Sequence, residues 1–215
     1  MGQKEIIQII KQDRLLPLFY HDDVDVCINV VRSLFLAGVR CVEFTNRGKN
    51  AQDNFRELVK ERNSSMPGLL LAIGTIKNDK EAGAFIEAGA DFLISPVYDA
   101  AVASFVRTNN ILWVPGCMSP TEIHTAQQAG CELVKLFPGN VLGKGFVEAI
   151  QPLFSGIDYV VTGGVEANKE SIIGWLNAGA AAVGLGSKLI TKEVLINNRL
   201  GELTASTKKL LAEIR

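Results

Sequence analysis

The sequence predicts one α/β domain in which eight parallel β-strands alternate with helices and close into a (βα)8 barrel, the TIM-barrel fold. Three observations support this prediction. Short apolar segments recur eight times along the 215 residues, amphipathic segments lie between them, and a glycine motif recurs before every second strand. No Pro-, Gly- or Ser-rich linker interrupts the chain. We therefore expect residues 1–215 to form a single domain.

Each strand is inferred from a short, continuous apolar segment, which is typical of strands buried on both faces. The helices between them show apolar residues at helical spacing, as in Val24–Ala37, or begin with a good N-cap residue, as in Asn78–Ala88. An N-terminal helix and a C-terminal helix, Leu200–Ile214, are expected to pack outside the barrel. The predicted strands are Leu15–Tyr20, Val39–Thr45, Leu69–Thr75, Phe92–Ser95, Leu112–Gly116, Leu133–Phe137, Tyr159–Thr162 and Ala181–Gly184.

The recurring glycine motif predicts how helices pass into strands. A helix that ends in a left-handed glycine can turn tightly into the next strand. The motif precedes the second, fourth, sixth and eighth strands, which favours a closed barrel over an open doubly wound sheet. Its copies are Leu36-Ala37-Gly38-Val39, Glu87-Ala88-Gly89-Ala90, Gln128-Ala129-Gly130-Cys131 and Asn177-Ala178-Gly179-Ala180.

The charge balance argues against several classes of partner. The net charge is −1, from 22 basic and 23 acidic residues spread along the chain, so no basic field attracts nucleic acid or anionic lipid. No apolar run has membrane-spanning length, and Met1–Lys11 lacks the apolar core of a signal peptide. We expect a soluble protein that binds a small molecule, with neither nucleic acid nor membrane as partner.

The cysteines and histidines argue against a metal site. The two histidines, His21 and His124, cannot supply a three-histidine zinc site, and the cysteine spacing offers no substitute. We expect no metal ligand, which excludes metal-dependent aldolases and epimerases, and reduced, structural thiols. The four cysteines are Cys27, Cys41, Cys117 and Cys131.

Lys135 is a charged residue within a predicted buried strand. Strand alternation places Leu133, Lys135 and Phe137 on one face. A lysine in this position is costly unless it is paired or functional. Burial favours a neutral amine, which can attack a carbonyl carbon. A structural ion pair, or a side chain that reaches solvent from the strand end, is the alternative explanation.

The second strand ends with Glu43, Thr45 and Arg47 on one face, and the C-terminal ends of barrel strands form the active site. A carboxylate there can transfer protons, and a guanidinium can hold a substrate carboxylate by two parallel hydrogen bonds. Glu43 and Arg47 could instead pair with each other.

Polar and glycine-rich segments also follow other strands. The turns Thr162–Gly164 and Gly184–Ser187 follow the seventh and eighth strands, where barrel enzymes usually bind phosphate through backbone N–H groups, although tight turns need glycine in any case. Thr75 could hydrogen-bond a substrate carboxylate or only its own turn. A capping box from Ser119 to Glu122 explains the segment after the fifth strand structurally.

Together these motifs resemble the 2-keto-3-deoxy-6-phosphogluconate (KDPG) and 4-hydroxy-2-oxoglutarate (KHG) aldolase family, from Leu15 to about Leu189. The resemblance implies a class I, Schiff-base aldolase with no cofactor, found as a homotrimer in the cytoplasm. The motifs that carry the resemblance are Val42-Glu43 through Arg47, Gly74-Thr75, Ser95-Pro96, Pro115-Gly116 with Ser119–Glu122, Lys135–Pro138, Thr162–Gly164 and Gly184–Ser187.

The resemblance also implies roles for individual residues. Lys135 is the expected Schiff-base residue, and Glu43 is the expected acid/base, which acts through a water molecule. The expected substrate-binding residues are Arg47, Thr75, Pro96, Phe137 and Thr162. The expected phosphate-binding residues are Gly163, Gly164, Gly184, Gly186 and Ser187.

The sequence departs from the family pattern near the expected site. Asn46 replaces the usual leucine after Thr45, and Gly139 replaces the usual alanine after Pro138. Other departures are Gly48, Ala72-Ile73 before Gly74, and Tyr20, since some members place a substrate-binding basic residue at the end of the first strand. The catalytic residues are retained, so these departures concern the substrate.

The expected reaction is cleavage of phosphorylated 2-keto-3-deoxygluconate to pyruvate and glyceraldehyde 3-phosphate, as in the Entner–Doudoroff route. One alternative is cleavage of 4-hydroxy-2-oxoglutarate to pyruvate and glyoxylate. Two others are a sugar-phosphate isomerase or epimerase on the same fold, and a catalytically silent sensor of sugar phosphates.

Overall fold

The computed structural model describes residues 1–215, in which parallel strands alternate with helices. The strands are β1 (Leu15–Phe19), β2 (Cys41–Thr45), β3 (Leu70–Gly74), β4 (Phe92–Ile94), β5 (Trp113–Val114), β6 (Gly116–Cys117), β7 (Leu133–Leu136), β8 (Asp158–Thr162) and β9 (Ala182–Leu185). The helices are α1 (Gln3–Asp13), α2 (Val24–Leu36), α3 (Ala51–Ser65), α4 (Asp79–Glu87), α5 (Ala100–Asn109), α6 (Pro120–Gln128), α7 (Gly139–Leu142), α8 (Lys144–Ile150), α9 (Lys169–Asn177), α10 (Lys192–Ile196) and α11 (Leu200–Ile214), with a 3-10 turn at Gln151–Leu153.

The sheet closes because β5 and β6 are two segments of one strand, interrupted at Pro115. The strand order is β5-β4-β3-β2-β1-β9-β8-β7-β6, so both ends of this order lie beside Pro115. Ser95 N donates to Val114 O at 3.0 Å on one side, and Lys135 N donates to Pro115 O at 2.8 Å on the other. Proline has no N–H of its own for the ladder. The predicted (βα)8 barrel is therefore confirmed, with its fifth strand in two pieces.

The recurring glycines adopt the predicted conformation. Gly38, Gly89, Gly130 and Gly179 have φ values of 95°, 100°, 86° and 109°, and each follows an alanine at the C-terminal end of a helix. An L-residue with a side chain rarely adopts this backbone conformation. The capping predictions are also confirmed: Asn78 Oδ1 accepts from Glu81 N, and the Ser119–Glu122 capping box forms at the start of α6.

Strand boundaries differ from the prediction by one or two residues. The largest consequence falls on Thr75, which was predicted to end the third strand. The strand ends at Gly74, and Thr75 leaves it with φ 66°. Gly184, predicted to end the eighth strand, is followed by one more strand residue, Leu185.

Apolar side chains cover both the outer and the inner face of the barrel wall. Residues that point outward pack against the helices in a cluster of 47 buried residues, and residues that point inward form a separate cluster of 14. The inner cluster includes Ile6, Ile7 and Ile10 of α1. The N-terminal helix therefore lies across the N-terminal ends of the strands and closes that end of the barrel.

The C-terminal helix is fastened to the same end. The side chain of α11 residue Thr204 donates to Ser33 O of α2 at 3.2 Å. At the chain end, Arg215 donates to the buried carboxylate of Asp13 at 2.9 Å, and Arg40 donates to it through its backbone N–H and its guanidinium. No helix of the chain is both long and apolar enough to cross a lipid bilayer.

Candidate active site

Lys135 and Glu43 meet inside the barrel near the C-terminal ends of their strands. Lys135 Nζ lies 3.2 Å from Glu43 Oε1, and the two side chains are 7% and 1% exposed. Their neighbours Val134, Leu136 and Phe44 belong to the outer layer, so strand alternation places both charges on the inner face. The predicted alternation is confirmed, and the alternative pairing of Glu43 with Arg47 does not form.

The ion pair with Glu43 must be weighed against the alternative explanation, in which the buried charge of Lys135 has only a structural role. A structural ion pair was that alternative, and an ion pair is present. Only one carboxylate oxygen takes part, however: Glu43 Oε2 is buried and has no hydrogen-bond partner in the protein. A buried polar atom without a partner is costly, and the large majority of buried polar atoms have one.

Thr162 supplies a second buried polar atom without a partner. Its Oγ1 is buried and forms no hydrogen bond within the protein, and Thr162 lines the same space as Lys135 and Glu43. The side chains pack closely here and leave no open cavity between them. Three polar side chains thus converge above an apolar floor, which is formed by Ile10, Leu16, Ile94, Val114, Leu133 and Val160.

Two glycines make room for these side chains, each from the strand next to the one that carries the side chain. A Cβ on Gly74 would overlap with Glu43 Oε1, and a Cβ on Gly184 would overlap with Thr162 Oγ1. Gly184 was predicted to bind phosphate from a turn, but it lies within β9, where its close contact with Thr162 accounts for the glycine. The role of Gly74 in making room for Glu43 was not predicted from the sequence. The position of this glycine on the inner face of the strand next to β2 could have indicated it.

Arg47 and Thr75 lie at the mouth of the barrel, just beyond β2 and β3. Arg47 is exposed and forms no ion pair, so its guanidinium is free to bind an anion. Thr75 is half-buried and holds a left-handed backbone, which is unfavourable for a β-branched residue and clusters at functional sites. Thr45, which lies between Glu43 and Arg47 in the sequence, instead donates to Phe19 O at 3.3 Å.

Phe137 and Pro96 have different surroundings. Lys135 Nζ lies 5.7 Å from the centroid of the half-buried Phe137 ring, so this ring is a neighbour of the amine. Pro96 packs its carbonyl against Gly116, where a Cβ would overlap with it. The preceding residue, Ser95, is structural, because its Oγ accepts from Trp113 Nε1 at 2.8 Å.

The turn after β8 packs closely on the loop after β7. Gly163 and Gly164 have φ values of 93° and 73°, and a Cβ on Gly164 would overlap with Asn140. A Cβ on Gly139 would lie 2.6 Å from Gly163 O. The absence of a side chain at Gly139 therefore lets the two loops approach each other closely.

The turn after β9 carries the remaining predicted phosphate-binding residues. Gly186 is half-buried and Ser187 is exposed, and Gly186 O accepts from Leu189 N and from Ile190 N, each at 2.9 Å. Lys188 of this turn reaches Glu166 of the preceding one at 2.9 Å. The two predicted glycine turns therefore lie side by side, as expected.

Tyr20, the departure from the family pattern at the end of the first strand, also changes how the mouth of the barrel is packed. Tyr20 Oη donates to Asp22 Oδ1 at 2.5 Å, and a Cβ on Gly48 would overlap with the Tyr20 phenol. Tyr20 and Gly48 are therefore coupled departures: the glycine accommodates the aromatic ring at the mouth.

The four cysteines form no disulfide and lie on the outer side of the barrel wall or at its N-terminal end. Burial raises the pKa of Cys27 and of Cys117 to about 12. No group of three or more His, Cys, Asp or Glu side chains forms a metal site.

A cleft of about 520 Å³ lies at the opposite end of the barrel, between α1 and the ends of α5 and α6. It contains none of the predicted site residues, so the paired amine and carboxylate identify the C-terminal end as the candidate active site.

Comparison with known proteins assigns the chain to a family. The family model "KDPG and KHG aldolase" matches residues 6–206. A 2-dehydro-3-deoxy-phosphogluconate aldolase of Treponema pallidum is 28% identical over 164 residues, 76% of each chain. A KHG/KDPG aldolase of Escherichia coli is 27% identical over 160 residues, 73% of this chain and 72% of the relative. The structure of a 2-keto-3-deoxy-6-phosphogluconate aldolase of Zymomonas mobilis superposes with a TM-score of 0.87 at 21% identity, covering 100% and 98% of the chains.

The fold, the site and these likenesses define an aldolase, an enzyme of the lyase class. The match over residues 6–206 covers most of the chain. The chain belongs to the KDPG and KHG aldolase family.

Proposed function

We propose that the chain is a Schiff-base aldolase that cleaves 2-keto-3-deoxy-6-phosphogluconate to pyruvate and glyceraldehyde 3-phosphate, with Lys135 as the nucleophile. The observation that carries this proposal is the contact of Lys135 Nζ with Glu43 Oε1 at 3.2 Å within an almost closed interior. An amine beside a carboxylate has a proton acceptor at hand, which a nucleophilic lysine needs.

In the proposed reaction Lys135 attacks the C2 carbonyl carbon of the keto acid, and water leaves to give a protonated imine. The C3–C4 bond then breaks, and its electron pair moves into the imine to form an enamine. Glu43, through a water molecule, takes the proton of the C4 hydroxyl, so that the aldehyde leaves, and afterwards returns a proton to C3. Hydrolysis releases pyruvate and restores the amine.

We propose the remaining roles from the positions of the side chains. Arg47, exposed and unpaired, binds the carboxylate of the keto acid together with Thr75. Thr162 Oγ1, buried without a partner beside the amine, hydrogen-bonds an oxygen of the bound substrate. Phe137 and Pro96 form the sides of the site, and the turns with Gly163, Gly164, Gly186 and Ser187 bind the phosphate. Gly184 acts indirectly, through the space it leaves for Thr162.

Trapping with borohydride tests the nucleophile. The protein is incubated with pyruvate and borohydride, digested, and the reduced pyruvyl adduct is located by mass spectrometry. We expect the adduct on Lys135 and none in Lys135→Met, while the control Lys77→Met, an exposed lysine after β3, keeps it. An adduct of the same mass in Lys135→Met would disprove the assignment.

A second substrate, 4-hydroxy-2-oxoglutarate, is supported by the double name of the Escherichia coli relative. Comparing kcat/KM for the two substrates decides between them. We favour the phosphorylated sugar acid because two glycine turns lie side by side at the β8 and β9 ends. A higher kcat/KM for 4-hydroxy-2-oxoglutarate would overturn this choice.

The resemblance to the family also leads us to propose a cytoplasmic homotrimer that serves the Entner–Doudoroff route. With a protomer of 23.3 kDa, a trimer has a mass of about 70 kDa. Sedimentation equilibrium measures this mass directly.

A further inference from the structure

A single ion pair joins the two glycine turns at the mouth of the barrel. Glu166 lies in the turn after β8, two residues beyond Gly164, and Lys188 follows Ser187 in the turn after β9. Lys188 Nζ is 2.9 Å from Glu166 Oε1. No other ion pair connects these two turns, so it is the main electrostatic feature of the place where a phosphate is expected.

The backbone holds Glu166 in position. Its N–H donates to Ser171 Oγ at 3.1 Å, and its carbonyl oxygen accepts from Asn168 N at 2.9 Å. On the other side, the Gly186 carbonyl accepts two backbone hydrogen bonds immediately around Lys188. Both charges are therefore carried by ordered turns, and their proximity follows from the way the turns pack.

The pair itself is weak and replaceable. Lys188 and Glu166 side chains are 58% and 52% exposed, and water and salt screen the attraction between such groups. A phosphate monoester carries up to two negative charges and several acceptor oxygens, so it competes effectively with one carboxylate for an ammonium. Lys188 can thus change partner when an anionic ligand enters between the turns.

We propose that Lys188 selects the charged distal group of the substrate and that Glu166 opposes it, so that this pair sets the preference for phosphorylated over unphosphorylated sugar acids. This inference rests on the proposed function, because it concerns the end of the substrate farthest from Lys135. A phosphate takes the place of the Glu166 carboxylate on Lys188, and the displaced carboxylate remains nearby and repels the phosphate.

Replacement of Lys188 and replacement of Glu166 should then change kcat/KM for the phosphorylated compound in opposite directions. The probes are 2-keto-3-deoxy-6-phosphogluconate and 2-keto-3-deoxygluconate, which differ only in the phosphate. We expect Lys188→Met to lower kcat/KM for the phosphorylated compound about tenfold, since one charge-assisted contact is lost. We expect Glu166→Gln to raise it about threefold, since one repulsive charge is removed.

Neither variant should change kcat/KM for 2-keto-3-deoxygluconate by more than about twofold, because that compound presents no charge to Lys188. Lys208→Met and Glu87→Gln are the matched controls: both residues are exposed, unpaired and remote from the turns, and they change the net charge equally. They should leave the ratio of the two kcat/KM values unchanged.

The exchanged double variant Glu166→Lys with Lys188→Glu separates recognition from structure. It retains an ion pair between the turns, so a purely structural role predicts wild-type kinetics with both compounds. The proposal predicts a selective loss with the phosphorylated compound. Wild-type kinetics in this variant, or equal changes with both compounds in Lys188→Met, would overturn the proposal.

Borohydride trapping with pyruvate distinguishes this result from failure of the proposed function, because pyruvate has no distal group. A normal adduct on Lys135 with an unaltered substrate ratio refutes only the role of Lys188 and Glu166. Absence of the adduct in the wild-type protein refutes the Schiff-base function itself.

Discussion

Gly74 faces the carboxylate of Glu43 across the β2–β3 ladder, so closely that any Cβ at position 74 would overlap with Oε1. The register that pairs Thr45 with Gly74 and Glu43 with Ala72 places two small residues beside the acid. The position of Glu43 relative to Lys135 therefore depends on the absence of a side chain at position 74.

Gly74→Ala tests this dependence. The added methyl group displaces Glu43 from Lys135, and we expect kcat to fall about 100-fold, since displacements of about 1 Å have effects of this order. Steady-state kinetics measure it. The control is Gly145→Ala, on an exposed helical surface with nothing within 4 Å of the added Cβ, which should leave kcat unchanged. Equal kcat values for the two variants would contradict the prediction.

Thr75→Gly should separate stability from function. The left-handed backbone of Thr75, with φ 66°, is strained for a β-branched residue but not for glycine, so we expect the free energy of unfolding to rise by about 0.5–1 kcal/mol. Loss of the hydroxyl should lower kcat/KM about tenfold. Urea unfolding and kinetics test both parts. Thr75→Ser keeps the hydroxyl and should retain most of the activity; the prediction is wrong if it is as inactive as Thr75→Gly.

Arg47→Met should weaken substrate binding without affecting the fold. Arg47 forms no ion pair, so its removal costs no internal contact, and the melting temperature should stay unchanged. Loss of a charge-assisted contact to the keto-acid carboxylate should lower kcat/KM about 10- to 100-fold.

Arg107→Met is its control, because Arg107 is also exposed and unpaired but lines the cleft at the other end of the barrel. If both variants lose activity equally, Arg47 has no specific role in binding.

Asp13→Asn should destabilise the protein and spare catalysis. The Asp13 carboxylate is fully buried between Arg40 and Arg215, and its neutralisation leaves two guanidinium groups without a counter-charge. We expect a loss of about 3 kcal/mol in the free energy of unfolding, measured in urea. kcat should not change, because Asp13 lies at the closed end of the barrel. The exposed Asp53→Asn is the control, and a comparably small effect of Asp13→Asn would refute this account.

Buried thiols should make the fold less stable at high pH. Burial raises the pKa of Cys27 and of Cys117 to about 12 from an ordinary value of 9.0. Unfolded thiols release protons above that ordinary value while folded ones keep them, so the free energy of unfolding falls as the pH rises from about 9 towards 12.

Urea unfolding at about pH 8 and about pH 10 measures this fall. Cys27→Ala should show a smaller decrease than the wild-type protein, and alkylation of the native thiols should be slow. An identical decrease in Cys27→Ala would show that other groups cause it.

The inner placement of Lys135 and Glu43 was predictable because a strand has only two faces and both residues interrupt apolar segments. The glycine turns at Gly38, Gly89, Gly130 and Gly179 were predictable because few other residues adopt their backbone conformation. These features depend on local chemistry alone.

Other features depend on contacts between segments that are far apart in the sequence, and the alternation of apolar and polar residues along a strand does not predict such contacts. The pairing of Lys135 with Glu43 in place of Arg47 with Glu43 follows from closure of the barrel, which brings β2 and β7 together across its interior. The interruption at Pro115, the overlap that requires Gly184 beside Thr162, and the Lys188–Glu166 pair also required the three-dimensional structure.

Closure of one end of the barrel by Ile6, Ile7 and Ile10 of α1 has a kinetic consequence. With that end covered, Lys135, near the C-terminal ends of the strands, faces the other end of the barrel, so both halves of a cleaved substrate must leave by the path along which the substrate arrived. The pyruvate half stays covalently attached until hydrolysis, and the aldehyde lies between it and solvent. For the proposed reaction, release is therefore ordered, with the aldehyde first and pyruvate second, and pyruvate acts as a competitive product inhibitor.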